Sequence, residues 1–388
     1  LKLRHGTAAG RRLTFHVLRF TFYDSRFTIH VFIRKVFETA QYICKFALVT
    51  ETILLKSTME TRKPDWLKIN LPGGTHCRTV KSVLSRHHLH TVCDEARCPN
   101  KEECWSNRTA TFMILGNSCT RNCQFCNVHS SEKEKRRSGE MENINNSRSL
   151  PTSQPPHLST TPPLHLPTSP PLLNEPENLA EAISLLKLEY AVITCVTRDD
   201  LPDGGAEHWA RCIEAVRKKN PECKIEVLIS DHQGKMNDIQ TILDAKPDVV
   251  AHNLETVARL YPAARPQANY RRSLDVLKYI ADAGFITKTG IMVGLGEEPD
   301  EIGKLMQDAK HHGVDIFTLG QYLQPTKAHL PVMEYVHPDK FAHLKEMALA
   351  IGIRHVESGP LVRSSYHAKE AYEKLVRTTL ESPLHSQE

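Results

Sequence analysis

Six short apolar runs punctuate the chain, at 109–115, 190–197, 224–230, 249–253, 287–293 and 316–323. Stretches of helical periodicity stand between most of them, for example at 207–219, 270–283 and 300–311. Strands that alternate with helices in this way predict parallel β/α architecture. In barrels of parallel strands the active site gathers at the carboxyl ends of the strands. Here those ends hold few apolar residues. The second run leads into Arg198-Asp199-Asp200-Leu201-Pro202-Asp203-Gly204-Gly205-Ala206-Glu207, and the fourth into Asn253 and Glu255. The fifth gives Gly294-Leu295-Gly296-Glu297, and the sixth gives Gln321 and Gln324. Any one of these alone reads as a turn residue or helix cap. Together on one rim they read as a polar site.

The pattern fails in two places. Residues 1–58 are Arg-rich and acid-poor, as a mitochondrial transit peptide is. The first methionine is Met59, so upstream sequence translated in frame is the other reading; on either, 1–58 is a non-core extension. The second break is 130–173. It opens on the charged run Glu132-Lys133-Glu134-Lys135-Arg136-Arg137, and 8 of the 21 residues at 151–171 are proline. Such composition buries too little apolar surface to fold and predicts a disordered or polyproline II insertion.

Charge changes the picture only for the body. The chain carries a net +5, but 1–58 hold 10 Lys/Arg and 3 Asp/Glu, a net of +7, which leaves the remainder at −2. Nucleic-acid binding therefore has no electrostatic support. No apolar run approaches the roughly 20 residues that span a bilayer, so no membrane partner is expected.

The chemistry lies in the cysteines. Eleven of them without a secretory signal point to a reducing compartment, where clustered cysteines bind metal. Cys119-Thr120-Arg121-Asn122-Cys123-Gln124-Phe125-Cys126 has the spacing C-x3-C-x2-C directly after the first apolar run. Three thiolates on so tight a loop can wrap one corner of a cubic cluster. A [4Fe–4S] cluster usually takes four cysteines, so three leave one iron open. The competing reading, structural zinc, normally requires four protein ligands at other spacings. Upstream, Cys93, Cys98 and Cys104 form a second set, C-x4-C-x5-C, within Leu89-His90-Thr91-Val92-Cys93-Asp94-Glu95-Ala96-Arg97-Cys98-Pro99-Asn100-Lys101-Glu102-Glu103-Cys104-Trp105. A zinc knot or chance burial are its bland readings; two three-cysteine sets point to two clusters.

The C-x3-C-x2-C loop resembles the signature of the radical S-adenosylmethionine (SAM) superfamily. Both sets in order, from about residue 63 to about 377, resemble the lipoyl synthase family. The resemblance implies two [4Fe–4S] clusters, the auxiliary one on Cys93, Cys98 and Cys104 and the SAM-binding one on Cys119, Cys123 and Cys126. It also implies a partial (β/α)6 TIM-type barrel over 109–352, interrupted at 130–173. An N-terminal extension (59–108) and a C-terminal one (353–388) would carry the auxiliary cluster. The stretch Arg363-Ser364-Ser365-Tyr366, a surface loop by default, resembles the family's RSSY motif, which makes Ser365 the auxiliary cluster's fourth ligand. A short connection stands in the family where 130–173 stands here.

By the same resemblance, Asp203, Gly204 and Gly205 meet the amino group of SAM. Asn253 and Glu255 lie near its ribose and carboxylate, residues 290–297 with Gly294 and Gly296 near its adenine, and Phe125 forms an adenine-side wall. Gln321 belongs to the same rim. The implied reaction inserts sulfur at C6 and C8 of an octanoyl chain on a lysine of a carrier domain. The expected partners are lipoyl carrier domains of 2-oxoacid dehydrogenase E2 subunits or the glycine cleavage H protein, and a donor such as ferredoxin or flavodoxin. The expected compartment is the cytoplasm, or the mitochondrion if 1–58 is a transit peptide. The alternatives are a sulfur-inserting enzyme of the biotin synthase type and, from another class, a non-catalytic iron–sulfur electron carrier. Cys44, Cys77, Cys195, Cys212 and Cys223 show no pairing pattern and read as small hydrophobes. His87, His88 and His90 read as ordinary helix and loop residues.

Overall fold

All six apolar runs become strands of one sheet. The structure, a computed structural model, describes residues 63–68, 75–96, 98–107, 109–130 and 171–381. Residues 1–58 and most of the 130–173 insertion lie outside the described residues. The parallel strands are β2 (Thr109–Ile114), β5 (Tyr190–Cys195), β6 (Lys224–Leu228), β7 (Val249–Ala251), β8 (Ile286–Val293) and β9 (Ile316–Gln321). They are flanked by β1 (His90–Thr91), antiparallel to β2, and by β10 (His355–Gly359), parallel to β9. The order β1-β2-β5-β6-β7-β8-β9-β10 leaves the two end strands unpaired with each other, so the barrel is open. A separate two-stranded ladder joins β3 (Ser118–Cys119) to β4 (His129–Ser130).

The sheet thus has one more parallel strand than expected and runs on past residue 352. Its sequence, His355-Val356-Glu357-Ser358-Gly359, carries a single large apolar side chain, so no apolar run announces it. The ladder to β9, from His355 opposite Ile316 to Gly359 opposite Gly320, makes it a strand. The segment Arg363-Ser364-Ser365-Tyr366 then leaves from the barrel's own edge.

Helices follow from their buried stripes. In Ala206–Lys219 the buried residues Trp209, Cys212, Ile213 and Val216 recur at helical spacing, and Arg217, Lys218 and Lys219 end the helix where its dipole favours cations. In Pro299–His311, Glu301 accepts from the Glu298 N–H at 2.9 Å, satisfying a donor at the helix start. The last helix, Ala368–Glu381, sets Ala368, Ala371, Tyr372 and Leu375 against Tyr190, Val192, Ile286 and Ile316. Three of those partners are the first residues of their strands, so this helix closes the amino-terminal end of the barrel.

Above that floor a buried charge pair crosses the interior. Lys288 Nζ lies 2.7 and 3.0 Å from the Glu226 carboxylate oxygens, and the Tyr190 hydroxyl donates to Glu226 at 2.8 Å. Both charged side chains are at most 2% exposed. Removing one member leaves the other charge stranded. We expect Lys288→Ala to cost about 3–5 kcal/mol, whereas Lys288→Met combined with Glu226→Gln costs far less. Urea unfolding of the three proteins checks this; a wild-type midpoint for Lys288→Ala would refute it.

Candidate functional site

The C-x3-C-x2-C loop starts where β2 ends. Leu115 and Gly116 both take left-handed backbone, φ 67° and 92°, and turn the chain toward Cys119. The β3–β4 ladder closes the loop around Cys123 and Cys126. Neighbouring strand ends then hold it from several sides. The Thr120 N–H donates to the Thr197 carbonyl at 3.0 Å, and the Gln124 N–H to that of Ala264 at 2.9 Å. The Asn122 N–H donates to Gln267 Oε1 at 3.2 Å, and His329 Nε2 lies 2.9 Å from the Cys126 carbonyl oxygen.

The strongest restraint is Arg121, between the first two cysteines. Its guanidinium donates to both oxygens of Asp199, at 2.7 and 2.9 Å, and to Asp231 at 2.5 Å. Asp231 is fully buried and also accepts from Arg272 at 2.8 Å. Although burial pushes the Asp231 carboxyl up, the two arginines overcome it and hold the group well below the usual carboxylate range.

The other three cysteines converge on a second place. Cys93 sits in the short helix Val92–Glu95, and Cys104 in Lys101–Ser106. The Cys98 N–H donates to the Cys93 carbonyl at 3.0 Å. With Thr109, Thr111, Arg363, Ser365 and Tyr366 they line a cavity holding about 270 Å³ of space, part of it open to solvent. The Thr111 hydroxyl donates to Ser365 Oγ at 2.9 Å. Asn100 Nδ2 ties the cysteine knot to the Leu361 carbonyl at 2.6 Å, and the Tyr366 hydroxyl bonds Glu103 at 3.1 Å. Gly320 of β9 lets this loop close, because a Cβ there would collide with the Val362 carbonyl.

Three sulfurs and a hydroxyl oxygen around one space are the donor set of a cluster with one hard ligand. The geometry fits a cluster better than a single ion. Zinc–sulfur bonds of about 2.3 Å place tetrahedral ligands roughly 3.8 Å apart. Among the described residues only Glu175, His208 and Cys212 form a group of three potential ligands all within 4.8 Å; both cysteine triads are more open. As free thiols the upstream set resists ionisation. Burial pushes Cys93 up to about 11 and Cys104 up to about 12.

A model of the radical SAM superfamily matches residues 113–309, and one of the N-terminal domain of lipoyl synthase matches 37–98. A lipoyl synthase of Rubrobacter xylanophilus is 48% identical over 82% of this chain and 89% of its own. Those of Caldicellulosiruptor bescii and Phocaeicola vulgatus are each 47% identical, over 79% and 80% of this chain and 94% and 96% of theirs. The chain belongs to the lipoyl synthase family. Among solved structures, methylornithine synthase aligns over 72% of this chain and 77% of its own, at 9% identity and a TM-score of 0.43. The lipoyl synthase N-terminal match starts at residue 37, upstream of Met59.

As a lipoyl synthase, the chain should present its SAM-contact residues on the strand-end rim. Phe125 is half-buried between Cys123 and Cys126. Asp203 is occupied: its two oxygens accept from the Gly205 and Glu207 N–H groups at 3.0 and 2.9 Å, starting a helix. Gly204 and Gly205 lie in the left-handed region, with His232 and Leu115 where their side chains would be. Gln321 is spent internally, donating to Val293 and Glu334 carbonyls and accepting from the Val336 N–H. Gly294, also left-handed, is the close-approach point for that amide. Gly296, with φ 102°, turns the loop, and Glu297 ties it by accepting from the Gly294 and Leu295 N–H groups.

Unspent polar atoms gather elsewhere on the rim. Asn253 donates to Glu255 at 3.1 Å, but its Oδ1 is buried without a partner among the described residues. Burial pushes the Glu255 carboxyl up, opposed by Arg265. Arg265, 9% exposed, donates to the Asn253 carbonyl at 2.8 Å and has a buried Nε without a partner among the described residues. Its charge also favours the Cys123 thiolate against burial. Sequence patterns give no role to Arg265, Asp231 or Thr111, nor to Arg121 and Arg363 within their motifs.

His252, next to Asn253, supplies a pH test. It is fully enclosed between the Ile229 carbonyl and Ser273 Oγ, both at 3.0 Å, and burial lowers its pKa from 6.5 to about 4. The unfolded chain therefore binds the proton first, so stability is fully present above about pH 6.5 and falls as pH drops toward 4. We expect His252→Gln to flatten that slope. An unchanged slope in thermal melts from pH 7 to 5 would exclude His252 as its source.

Proposed function

We propose that the two cysteine sets divide one reaction, the insertion of sulfur at C6 and C8 of an octanoyl chain carried on a protein lysine. The observation that carries this is Ser365, held by Thr111 in the cavity that Cys93, Cys98 and Cys104 line. When bound, the cluster on Cys119, Cys123 and Cys126 supplies the electron that cleaves SAM, and the auxiliary cluster supplies the sulfur. Arg121 and its two aspartates fix the first loop. Asn253, Glu255 and Arg265 offer an amide oxygen, a carboxyl and a cation to the polar end of SAM, while Phe125 and residues 290–297 stand toward its adenine. The cofactor carries the difficult chemistry; these side chains orient and shield it.

Ser365 has a distinct part. A hydroxyl oxygen is a harder donor than thiolate and suits iron–sulfur clusters less well. It marks the iron most easily released, which suits a cluster that gives up sulfur. A biotin synthase-type enzyme is not favoured, because the N-terminal match contains Cys93 and Cys98. The substrates are lipoyl carrier proteins; E2 subunits and the glycine cleavage H protein are the proposed carriers, with ferredoxin or flavodoxin as donor. Among the described residues no helix is long and apolar enough to cross a membrane. The proposed compartment is the cytoplasm, or the mitochondrion if residues 1–58 are a transit peptide.

Anaerobic reconstitution tests the division. Cys123→Ala should drop from two clusters' worth of iron to one and lose SAM cleavage. Cys98→Ala should keep SAM cleavage and lose sulfur insertion. Ser365→Ala should retain both clusters and SAM cleavage while dihydrolipoyl product falls sharply, with Ser364→Ala milder. Zinc in place of iron at the upstream set, or wild-type product from Ser365→Ala, would overturn the assignment.

A further inference from the structure

Three buried side chains outside both cysteine sets meet at the end of β2. Glu175, His208 and Cys212 are all buried, with ligand atoms within 4.8 Å of one another. Of the three, Glu175 reaches the backbone of Leu115. Glu175 Oε2 accepts the Leu115 N–H at 2.9 Å and lies 2.6 Å from His208 Nε2. Arg211 Nη2 stands 3.2 Å from His208 Nδ1. An arginine can only donate, so Nδ1 accepts and Nε2 carries the hydrogen that points at Glu175. On the other side, Arg198 donates to the Leu115 carbonyl at 3.2 Å, and Asp200 holds its guanidinium by two contacts, at 2.8 and 2.9 Å.

We propose that Glu175 and Arg198 are positioning residues that clamp Leu115 and thereby set where the SAM-cluster loop begins. A leucine at φ 67° is in a conformation that persists only when its surroundings impose it. Here both of its backbone polar groups are taken by buried charged side chains, and its own side chain fills the space beside Gly205. Three residues on, the chain enters Ser118 and Cys119. A displacement at Leu115 is therefore passed into the cysteines, with only Gly116 and Asn117 between to absorb it. Glu175 also opens the helix Glu175–Leu186, so the element that follows the long insertion is bonded directly to the turn that starts the loop. The loop's origin is thus tied to a residue that lies beyond the insertion in sequence.

A metal site is the competing use of the same trio. It is disfavoured because Glu175 Oε2 already serves two hydrogens. Simple stabilisation of the helix start by an acidic residue is another. The clamp needs reach and an acceptor oxygen, not charge, which separates it from both.

This inference rests on the SAM-cleaving reading of the loop. The full chain, reconstituted with iron and sulfide, is compared as wild type, Glu175→Gln, Glu175→Asp and Glu175→Ala. The readouts are iron content, the electron paramagnetic resonance signal of the reduced protein with and without SAM, the KM for SAM, and the melting temperature. Glu175→Gln keeps an acceptor oxygen at the same reach and should behave as wild type. Glu175→Asp keeps the charge but falls short. It should alter the SAM-dependent signal and lower SAM-cleavage efficiency by roughly ten- to a hundredfold, the scale of an ångström's misplacement. Iron at the Cys93 set should be unchanged. The reverse ranking, with aspartate active and glutamine impaired, would assign Glu175 to helix stabilisation and overturn the clamp. So would melting temperatures that fall while the signal and KM stay wild type, or a tightly bound extra metal lost on His208→Gln. Should Glu175→Ala fail to fold, the glutamine–aspartate ranking still decides. A wild-type protein that holds iron yet cleaves no SAM would instead count against the reading on which the inference rests.

Discussion

Thiols must be ionised to hold iron, and this fold buries them where ionisation is costly. That constraint governs the region from Cys93 to Cys104 and the loop that covers it. Burial raises Cys93 to about 11 and Cys104 to about 12, so binding iron as thiolates displaces protons. Metal affinity of this kind is coupled to pH and to folding. The bonds from Asn100 to Leu361 and from Thr111 to Ser365 join the region of the cysteine knot to the C-terminal loop. The half-buried Arg363 guanidinium adds positive charge beside Cys98.

The SAM-cluster loop meets the same constraint by a different route. Its cysteines are half-buried, and a network of charges, of which Arg121 and Asp231 are buried, holds the loop that carries them. Arg121, Asp199, Asp231 and Arg272 alternate in sign, so each is compensated by neighbours on different elements. A buried pair of this sort is weak evidence for stability, since desolvation offsets much of the attraction. Its use here is geometric. A guanidinium bonded to two carboxylates from different strand ends has little freedom, and the loop that carries it inherits that restriction.

The sequence showed the barrel because buried parallel strands are written as continuous apolar runs, and all six became strands. It did not show β10, whose ladder to β9 outweighs a polar composition that no periodicity marks. The two cysteine sets were legible because their ligands are close in sequence. The clamp on the loop was not: Arg121 reaches Asp199 and Asp231 across 78 and 110 residues, and no local pattern pairs them. Asp203 and Gln321 stood out as polar residues at strand ends. Their polar atoms instead serve the turn and the loop around them, and Arg265, hidden in Tyr261-Pro262-Ala263-Ala264-Arg265, keeps an N–H in reserve. Identity at a strand end thus locates the rim without saying which side chains still have bonds to give.

Strand β2 is what relates the two centres. Thr111 bonds Ser365 beside the upstream cysteines, and Ile114 ends the strand just before the turn that starts the other loop. Three residues of extended chain span roughly 10 Å. The strand is paired on both edges, with β1 and β5, and is buried from Ala110 onward, so that separation cannot vary without breaking the sheet. The two cysteine sets are in this way set apart by a strand that is buried and paired on both edges.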